Sequence, residues 1–309
     1  MEAILEIENL SKDYETGFLR KKKVRALDSL DLTVRPGIIF GFLGGNGAGK
    51  TTTIKILMRL LFPSEGSARI LGRDISDVSM HARIGYCPEN PYFYDYLTAR
   101  ELLDYFGELL GLGAARRKDK TEELLSAVGL AEKDRDKQLR KFSKGMLQRV
   151  GLAQSLINDP EIVFLDEPMS GLDPMGRREI RHLIAGLRQK GTTVFMSTHI
   201  LSDVEALCDE VAIMRGGKLA ATGDLEELLE RHGETQSFEI RVSGVSPERL
   251  TASFPSSSVS LAAGGSAIQI GDESQIDSAI AAVRANGGKI LSVQPIKQSL
   301  EELFVERAG

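Results

Sequence analysis

The sequence predicts an α/β domain with a mainly parallel sheet over residues 1–232, followed by a small α+β domain over residues 233–309. Three observations carry that expectation. The stretch "FGFLGGNGAGKTTTIKILMRLLFP" (Phe40 to Pro63) passes from a short apolar segment through five glycines in nine residues into a helical pattern. "EIVFLDEP" (Glu161 to Pro168) and "TTVFMSTH" (Thr192 to His199) each hold a short continuous apolar run, which suits strands covered on both faces. After "RHGETQ" (Arg231 to Gln236) the composition shifts toward serine, alanine and glycine, and the elements become smaller.

Taken in chain order, the basic run Arg20, Lys21, Lys22, Lys23 and Arg25 reads as a solvated loop between two strands, with a lipid-headgroup or partner contact as the alternative. Ile38, Ile39 and Phe40 open a buried strand. Beyond the glycines, Ile54, Ile56, Leu57, Leu60 and Leu61 recur at helical spacing until Pro63. Between residues 97 and 160 the strand signal disappears, which predicts a helical insert. Thr98 and Glu101 form a capping box ahead of Leu102, Leu103, Phe106, Leu109 and Leu110 on one helical face. Leu124, Leu125 and Val128 mark a second helix, and "MLQRVGLAQSLI" a third. "EVAIMRGGKLAATG" reads as a hairpin turning at Gly216 and Gly217.

The C-terminal segment reads as strand "SFEIRVSG", helix "SPERLTASF", strands "SVSLAAG" and "SAIQIG", helix "ESQIDSAIAAVRANG", strand "KILSVQP" and a closing helix "SLEELFVERA". Without that last helix the order is βαββαβ, a ferredoxin-like split unit. Heptads, long low-complexity tracts and repeats of solenoid period are absent from the sequence.

Bulk properties narrow the function classes. A hydrophobic fraction of 42% with 27% charged residues is ordinary globular composition. The formal net charge of -5 gives no basic field for nucleic acid. Apolar runs all fall short of the roughly 18 residues that a spanning helix needs. "MEAILEIENL" carries acids where a secretory signal would carry bases. Cys87 and Cys208 lie far apart, outside metal-ligand spacing, as in a reducing cytosol. A role at a membrane would therefore run through a partner.

Gly44, Gly49, Lys50 and Thr51 stand at the spacing G-x-x-x-x-G-K-[ST] of a phosphate-binding loop. A strand, a glycine turn and a helix N-terminus in that order aim several N–H groups and a helix dipole at one point, where a phosphate would sit. Glycines are needed because the loop takes angles that a Cβ opposes and because phosphate must approach the main chain. Lys50 supplies a mobile charge for the β- and γ-phosphates, and Thr51 a hydroxyl for Mg²⁺. In "IVFLDEP" the strand ends on Asp166, followed at once by Glu167. Consecutive strand residues face opposite ways, so one acid is free for a metal and the other for an attacking water, a pairing suited to ATP hydrolysis.

On these motifs the chain resembles a nucleotide-binding subunit of the ABC transporter family over about its first 230 residues. "GGNGAGKTT" is similar to the family's Walker A motif, from which Asn46, Gly47, Ala48 and Thr52 join the ATP site, and "IVFLDEP" to its Walker B. "FSKGMLQR" (Phe142 to Arg149) resembles the family signature, "SGLDP" (Ser170 to Pro174) the D-loop with Asp173, and "STH" (Ser197 to His199) the switch histidine. The resemblance implies ATP and Mg²⁺ as cofactors, with Glu167, His199 and Lys50 catalytic. It places Tyr14 against adenine, and Thr51, Asp166 and Glu89 at the metal. It further implies that Ser143 and Gly145, where a helix begins, complete the nucleotide pocket of the opposite subunit in a head-to-tail dimer. That dimer joins a second copy of this chain or a homologous ATPase subunit.

Three departures stand out. The signature reads "FSKGM" where the family commonly has "LSGGQ", Gly45 stands where proline is common, and "IGYCPEN" places Glu89 where glutamine is usual. A carboxylate can still ligate Mg²⁺. A like charge about 4 Å away at an effective dielectric of about 20 would oppose it by about 4 kcal/mol unless the metal intervenes. "PENPYFYDYLT", "DEPMSGLDPMGRREI" and the ending "QSLEELFVERAG" are similar to ABC-2 type subunits, which pair with separately encoded permeases for export. Tyr92, Phe93 and Tyr94 then line the permease socket or pack a helix boundary. The expected site of action is the cytoplasmic face of the membrane, held there by the permease, without nucleic acid. The alternatives are a soluble ABC ATPase acting on ribosomes or DNA, and an importer ATPase.

Overall fold

The glycine-rich loop lies at the carboxyl end of a buried central strand, and the elements around it explain why. The computed structural model describes residues 3–16, 22–231, 237–247, 249–250, 258–262 and 265–296. It forms two compact units, Met1–Leu225 and Glu226–Gly309.

The first unit runs β1 (Leu5–Thr16), β2 (Lys22–Val34), β3 (Ile39–Gly44), α1 (Lys50–Leu57), β4 (Glu65–Ile70), β5 (Arg73–Asp74) and β6 (Ile84–Cys87). The helices α2 (Ala99–Leu109), α3 (Ala114–Ala127) and α4 (Lys144–Ser155) follow. Then come β7 (Ile162–Asp166), α5 (Pro174–Gln189), β8 (Thr193–Thr198), α6 (Leu201–Leu207), β9 (Glu210–Arg215) and β10 (Lys218–Asp224). A short helix, α7 (Leu225–Arg231), begins at the division between the units. One sheet has the order β2-β1-β4-β5, and its pairings are antiparallel. The other has the order β10-β9-β3-β8-β7-β6, parallel except for the β9–β10 hairpin.

Every residue of β3, β7 and β8 is buried, as their continuous apolar runs require of strands covered on both faces. Phe195 on β8 packs against Phe40, Phe42 and Phe164 at ring separations of 5.5, 5.2 and 5.4 Å. These rings belong to a core that continues through Ile54 of α1 to Leu5, Leu10 and Leu27 of the antiparallel sheet. Both sheets thus brace the phosphate loop from behind. Parallel strands also place their carboxyl ends, and the residues that follow them, on one edge, where ligands of open α/β sheets bind.

The capping box is formed as read: Thr98 Oγ1 accepts from the Glu101 N–H, and Glu101 Oε2 accepts from the Thr98 N–H at 2.8 Å. Three sequence expectations need correction. Lys22, Lys23 and Arg25 lie in β2 rather than in a loop, because β1 and β2 stay paired out to Thr16 and Lys22. Arg25 is fixed there by Asp13 at 2.6 Å. The helix after the phosphate loop ends at Leu57 instead of continuing to Pro63. Arg59 takes a left-handed φ of 55°, and the N–H groups of Arg59 and Leu60 close onto the carbonyls of Ile56 and Lys55, a Schellman stop. Leu109 and Leu110 were expected on the packed face of α2 with Leu102 and Leu103, yet only the latter two are buried.

The second unit contains β11 (Ser237–Ser243), β12 (Ser258–Ala262), β13 (Gly265–Ile270), α8 (Ile276–Ala285) and β14 (Lys289–Ile296). Its sheet has the order β12-β13-β11-β14 with antiparallel pairings, the arrangement of a ferredoxin-like split unit. Ile240, Val242, Ile268 and Ile270 of the sheet pack with Ala279 and Val283 of α8. Most of the expected helix "SPERLTASF" and all of the closing helix "SLEELFVERA" lie outside the described residues.

Candidate nucleotide site

The loop between β3 and α1 turns on glycines for two separate reasons. Gly47 and Gly49 have φ of 77° and 103°, where a Cβ brings strain. Gly44 has ordinary geometry, but a Cβ on it would meet the Met214 carbonyl at 2.7 Å and Ala48 Cβ at 2.9 Å. The loop is thereby pressed onto the sheet edge, and α1 starts at Lys50 with Gly49 as an N-cap that offers no side-chain partner. Backbone N–H groups at that helix start remain free for an anion.

A cavity of about 350 Å³ opens above the loop. Asn46, Gly47, Ala48, Gly49, Lys50, Thr51, Thr52, Glu89, Glu167 and His199 line it, together with Ala26 and Gly45. Lys50 is buried; its Nζ donates to the Gly44 carbonyl at 2.6 Å and the Gly45 carbonyl at 3.3 Å, and lies 3.3 Å from Glu167 Oε1. The other carboxylate oxygen of Glu167 is 2.9 Å from His199 Nδ1. Glu167 is thus spanned by one lysine and one histidine.

Asp166 lies just behind that pair, buried, with Oδ1 accepting from Thr51 Oγ1 at 3.3 Å and Ser197 Oγ at 2.5 Å. The β7–β8 register sets Asp166 opposite Ser197. The same serine accepts the Glu167 N–H at 3.1 Å on Oγ, while the Ser197 carbonyl accepts it at 3.2 Å. Those bonds hold Glu167 at a left-handed φ of 50°, which turns its side chain from the strand direction toward the loop. Burial, reinforced by the Asp166 charge, pushes the neighbouring Cys87 thiol up to about 12. Burial likewise pushes the Tyr86 phenol up to about 12, again with Asp166 contributing.

Sequence reading placed most of these residues together, and the structure assembles them from β3, α1, β6, β7 and β8. Tyr14 lies at the margin, its hydroxyl 3.4 Å from Thr52 Oγ1. Ser143, Gly145 and Asp173 are elsewhere: with Lys144, Gly171 and Leu172 they line a second cavity of about 550 Å³. Ser143 caps α4 through the Met146 N–H, and Asp173 caps α5 through the Gly176 N–H at 2.7 Å. Ser197 and Ala26 were not singled out as site residues. Ser197 carried a partial signal, since strand alternation puts it, two residues before His199, on the same face of the sheet; Ala26 carried none, because it arrives from a separate strand of the other sheet.

Thr51 and Asp166 offer oxygen atoms, the donor type of a hard cation such as Mg²⁺. Among the described residues, clusters of three or more His, Cys, Asp or Glu able to hold a metal are absent. Mg²⁺ does not require one, since it binds through one or two carboxylates plus phosphate and water. The donor set fits a metal that arrives with a nucleotide.

The ABC transporter family matches residues 27–170. The chain is 49% identical to an uncharacterized ABC transporter ATP-binding protein of Synechocystis over 80% of this chain and 69% of the relative. It is 43% identical to another of Nostoc over 97% of this chain and 88% of the relative. The bacitracin transport ATP-binding protein BcrA of Enterococcus faecalis is 34% identical, covering 100% of this chain and 97% of the relative. A solved ATP-binding subunit of an ABC transporter superposes with a TM-score of 0.65 at 31% identity, over 74% of this chain and 93% of that one. The chain belongs to the ABC transporter family as one of its ATP-binding proteins, and its activity is that of an ATPase.

Proposed function

We propose that this chain energises an ABC-2 type membrane exporter by hydrolysing ATP in a head-to-tail dimer, at the cytoplasmic face, beside a separately encoded permease. One observation carries the dimer: Ser143, Gly145 and Asp173 line a cavity of their own instead of the one that holds Lys50 and Glu167. Two half-sites on one chain complete each other only when two chains meet head to tail. Residues 1–232 form the engine in this reading, and residues 233–309 a regulatory or bracing domain.

Each residue then has a role that its position supports. The α1 N-terminus and Lys50 take the phosphates, Tyr14 stacks on adenine, and Thr51, Asp166 and Glu89 hold Mg²⁺. The metal, when bound, offsets charge on the β- and γ-phosphates. Lys50 leaves Glu167 to meet the phosphate, which frees a carboxylate to accept a proton from water. His199, already 2.9 Å from Glu167, orients that water and the γ-phosphate. Ser143 and Gly145 at the start of α4 offer the opposite phosphate face a helix N-terminus.

The export reading is supported by the bacitracin transport relative and by an exposed aromatic surface. Tyr92 is 97% exposed, and Tyr94 is in ring contact with Tyr96 and Tyr105, both also exposed. Beside them a cavity of about 430 Å³ is lined by Leu60, Phe106, Leu109 and Leu110. That is a surface for an apolar helix of a partner, and it accounts for leucines of α2 that face outward. Helices long and apolar enough to cross a membrane are absent among the described residues.

The test is a pull-down with the Glu167→Gln chain from solubilised native membranes in ATP and Mg²⁺. Recovery of a polytopic membrane protein is the expected result. Recovery of ribosomal or DNA-repair proteins instead would move the same engine to a soluble role.

A further inference from the structure

We propose that Glu89 makes the nucleotide site selective for metal-complexed nucleotide and turns away the free anion. The proposal rests on the nucleotide site assigned above. Glu89 follows β6 by two residues, is half-buried, and lines the loop cavity with Thr51, Glu167 and His199. Among the described residues its carboxylate has no hydrogen bond and no ion pair, so its charge is uncompensated by a protein partner in the cavity that the phosphate loop lines. The cavity's cations are already engaged: Lys50 serves Glu167 and two carbonyls, and His199 is paired to Glu167.

Glu89 and Glu167 therefore face a polyanion, with Asp166 buried just behind them, and among the described residues lining the cavity Lys50 is the one fixed positive charge. Free nucleotide meets like charge at short range in a partly desolvated cleft, where repulsion is strong. A divalent cation between Glu89 and the phosphates reverses the sign of that contact, since a carboxylate is a good oxygen ligand. A neutral amide at this position would accept either form of the ligand. Glu89 is in this sense a specificity-determining residue whose charge converts metal occupancy into nucleotide affinity.

The experiment is calorimetric titration of the full chain with the non-hydrolysed analogue AMP-PNP, once with Mg²⁺ and once with EDTA replacing it. Wild type is compared with Glu89→Gln and with Glu89→Asp, which keeps the charge. The ratio of affinity with metal to affinity without it is expected to fall by about tenfold or more in Glu89→Gln, chiefly because metal-free binding tightens. Glu89→Asp is expected to stay within about threefold of the wild-type ratio. A ratio unchanged in Glu89→Gln, or equal weakening with and without metal, overturns the proposal. A wild-type chain that binds AMP-PNP under neither condition overturns the site assignment itself, a result distinct from binding without metal selectivity. Matching thermal midpoints of the three chains establish that the comparison reads charge and not folding.

Discussion

Glu167 sits at a backbone angle, φ 50°, that costs a non-glycine residue on the order of 1–3 kcal/mol. Ser197 offsets that cost by accepting the Glu167 N–H on both its hydroxyl and its carbonyl, while its hydroxyl donates to Asp166. One side chain therefore fixes the proposed metal acid and the proposed base together. Ser197→Ala is expected to destabilise the fold by about 1–3 kcal/mol, since it removes the shorter of the two side-chain donors to the buried Asp166 carboxylate and leaves it the longer bond from Thr51. Chemical denaturation measures this, and a loss below about 0.5 kcal/mol would mean that water replaces the hydroxyl at no cost. Glu167→Gln differs in kind: the amide fills the same volume and its oxygen can still accept from Lys50, but the proton acceptor is lost. Its steady-state ATPase rate is expected to drop by at least about 100-fold. A residual rate above one tenth would assign the base to another group. His199 does not substitute readily, because its Nδ1 is turned to Glu167 itself.

At the scale of elements, the helical insert and the core meet at β6 and α4, where side chains have been trimmed to let backbones approach. A Cβ on Gly151 of α4 would lie 2.8 Å from Pro91 and 3.2 Å from Cys87 Sγ, and one on Gly85 of β6 only 2.1 Å from the Ser155 carbonyl. The segment carrying Glu89 is thus wedged against the helix that begins at Ser143, so the two proposed half-sites share a mechanical seam. The insert is also held by charge: Arg100 bridges Glu122 and Asp136, and Arg135 reaches the same Glu122 at 2.7 Å. The Arg100 hydrogen bond, opposed by partial burial and aided by Arg135, holds the Glu122 carboxyl below its ordinary value of 4.5. A depressed carboxylate contributes stability that is complete above 4.5 and is lost as pH falls through the lowered value. Glu122→Gln is expected to lower the thermal midpoint by about 2 °C at pH 7 and to narrow that gap toward pH 3, measured by calorimetry. A gap that widened in acid would reverse the sign and exclude this pair as the cause. The composition of the insert announced helices, and the Thr98 and Glu101 cap was readable, because both are local. The Schellman stop at Arg59 was not, since a left-handed arginine carries no glycine to mark it.

For the whole molecule, what was legible in the sequence follows the same division between local and distant. The phosphate loop, the Asp166 and Glu167 strand end and the histidine at 199 are short motifs whose spacing encodes their geometry, and they converge on one cavity. Tertiary meetings such as Ala26 against the loop, Ser197 between two acids, or β1 and β2 paired into the basic run had no local signature. The separation of Ser143, Gly145 and Asp173 from the loop cavity belongs to that distant class and says most about assembly. Should the chain work head to tail, each active site takes its loop from one chain and its α4 start from the other. A Lys50→Ala chain and a Ser143→Arg chain would then each be inactive alone, the first for want of a phosphate-binding cation and the second because a bulky cation fills the helix start. Mixed in equal amounts, random pairing puts half of the dimers into the mixed form. Each mixed dimer joins the intact loop of the Ser143→Arg chain to the intact α4 of the Lys50→Ala chain, so about a quarter of the wild-type ATPase rate is expected to return. A monomer that hydrolyses ATP unaided, or a dimer joined through matching halves of the same site, restores nothing on mixing. The rate of the mixture against the sum of its parts, read at protein concentrations where light scattering detects dimer, therefore decides whether the two cavities are halves of one site.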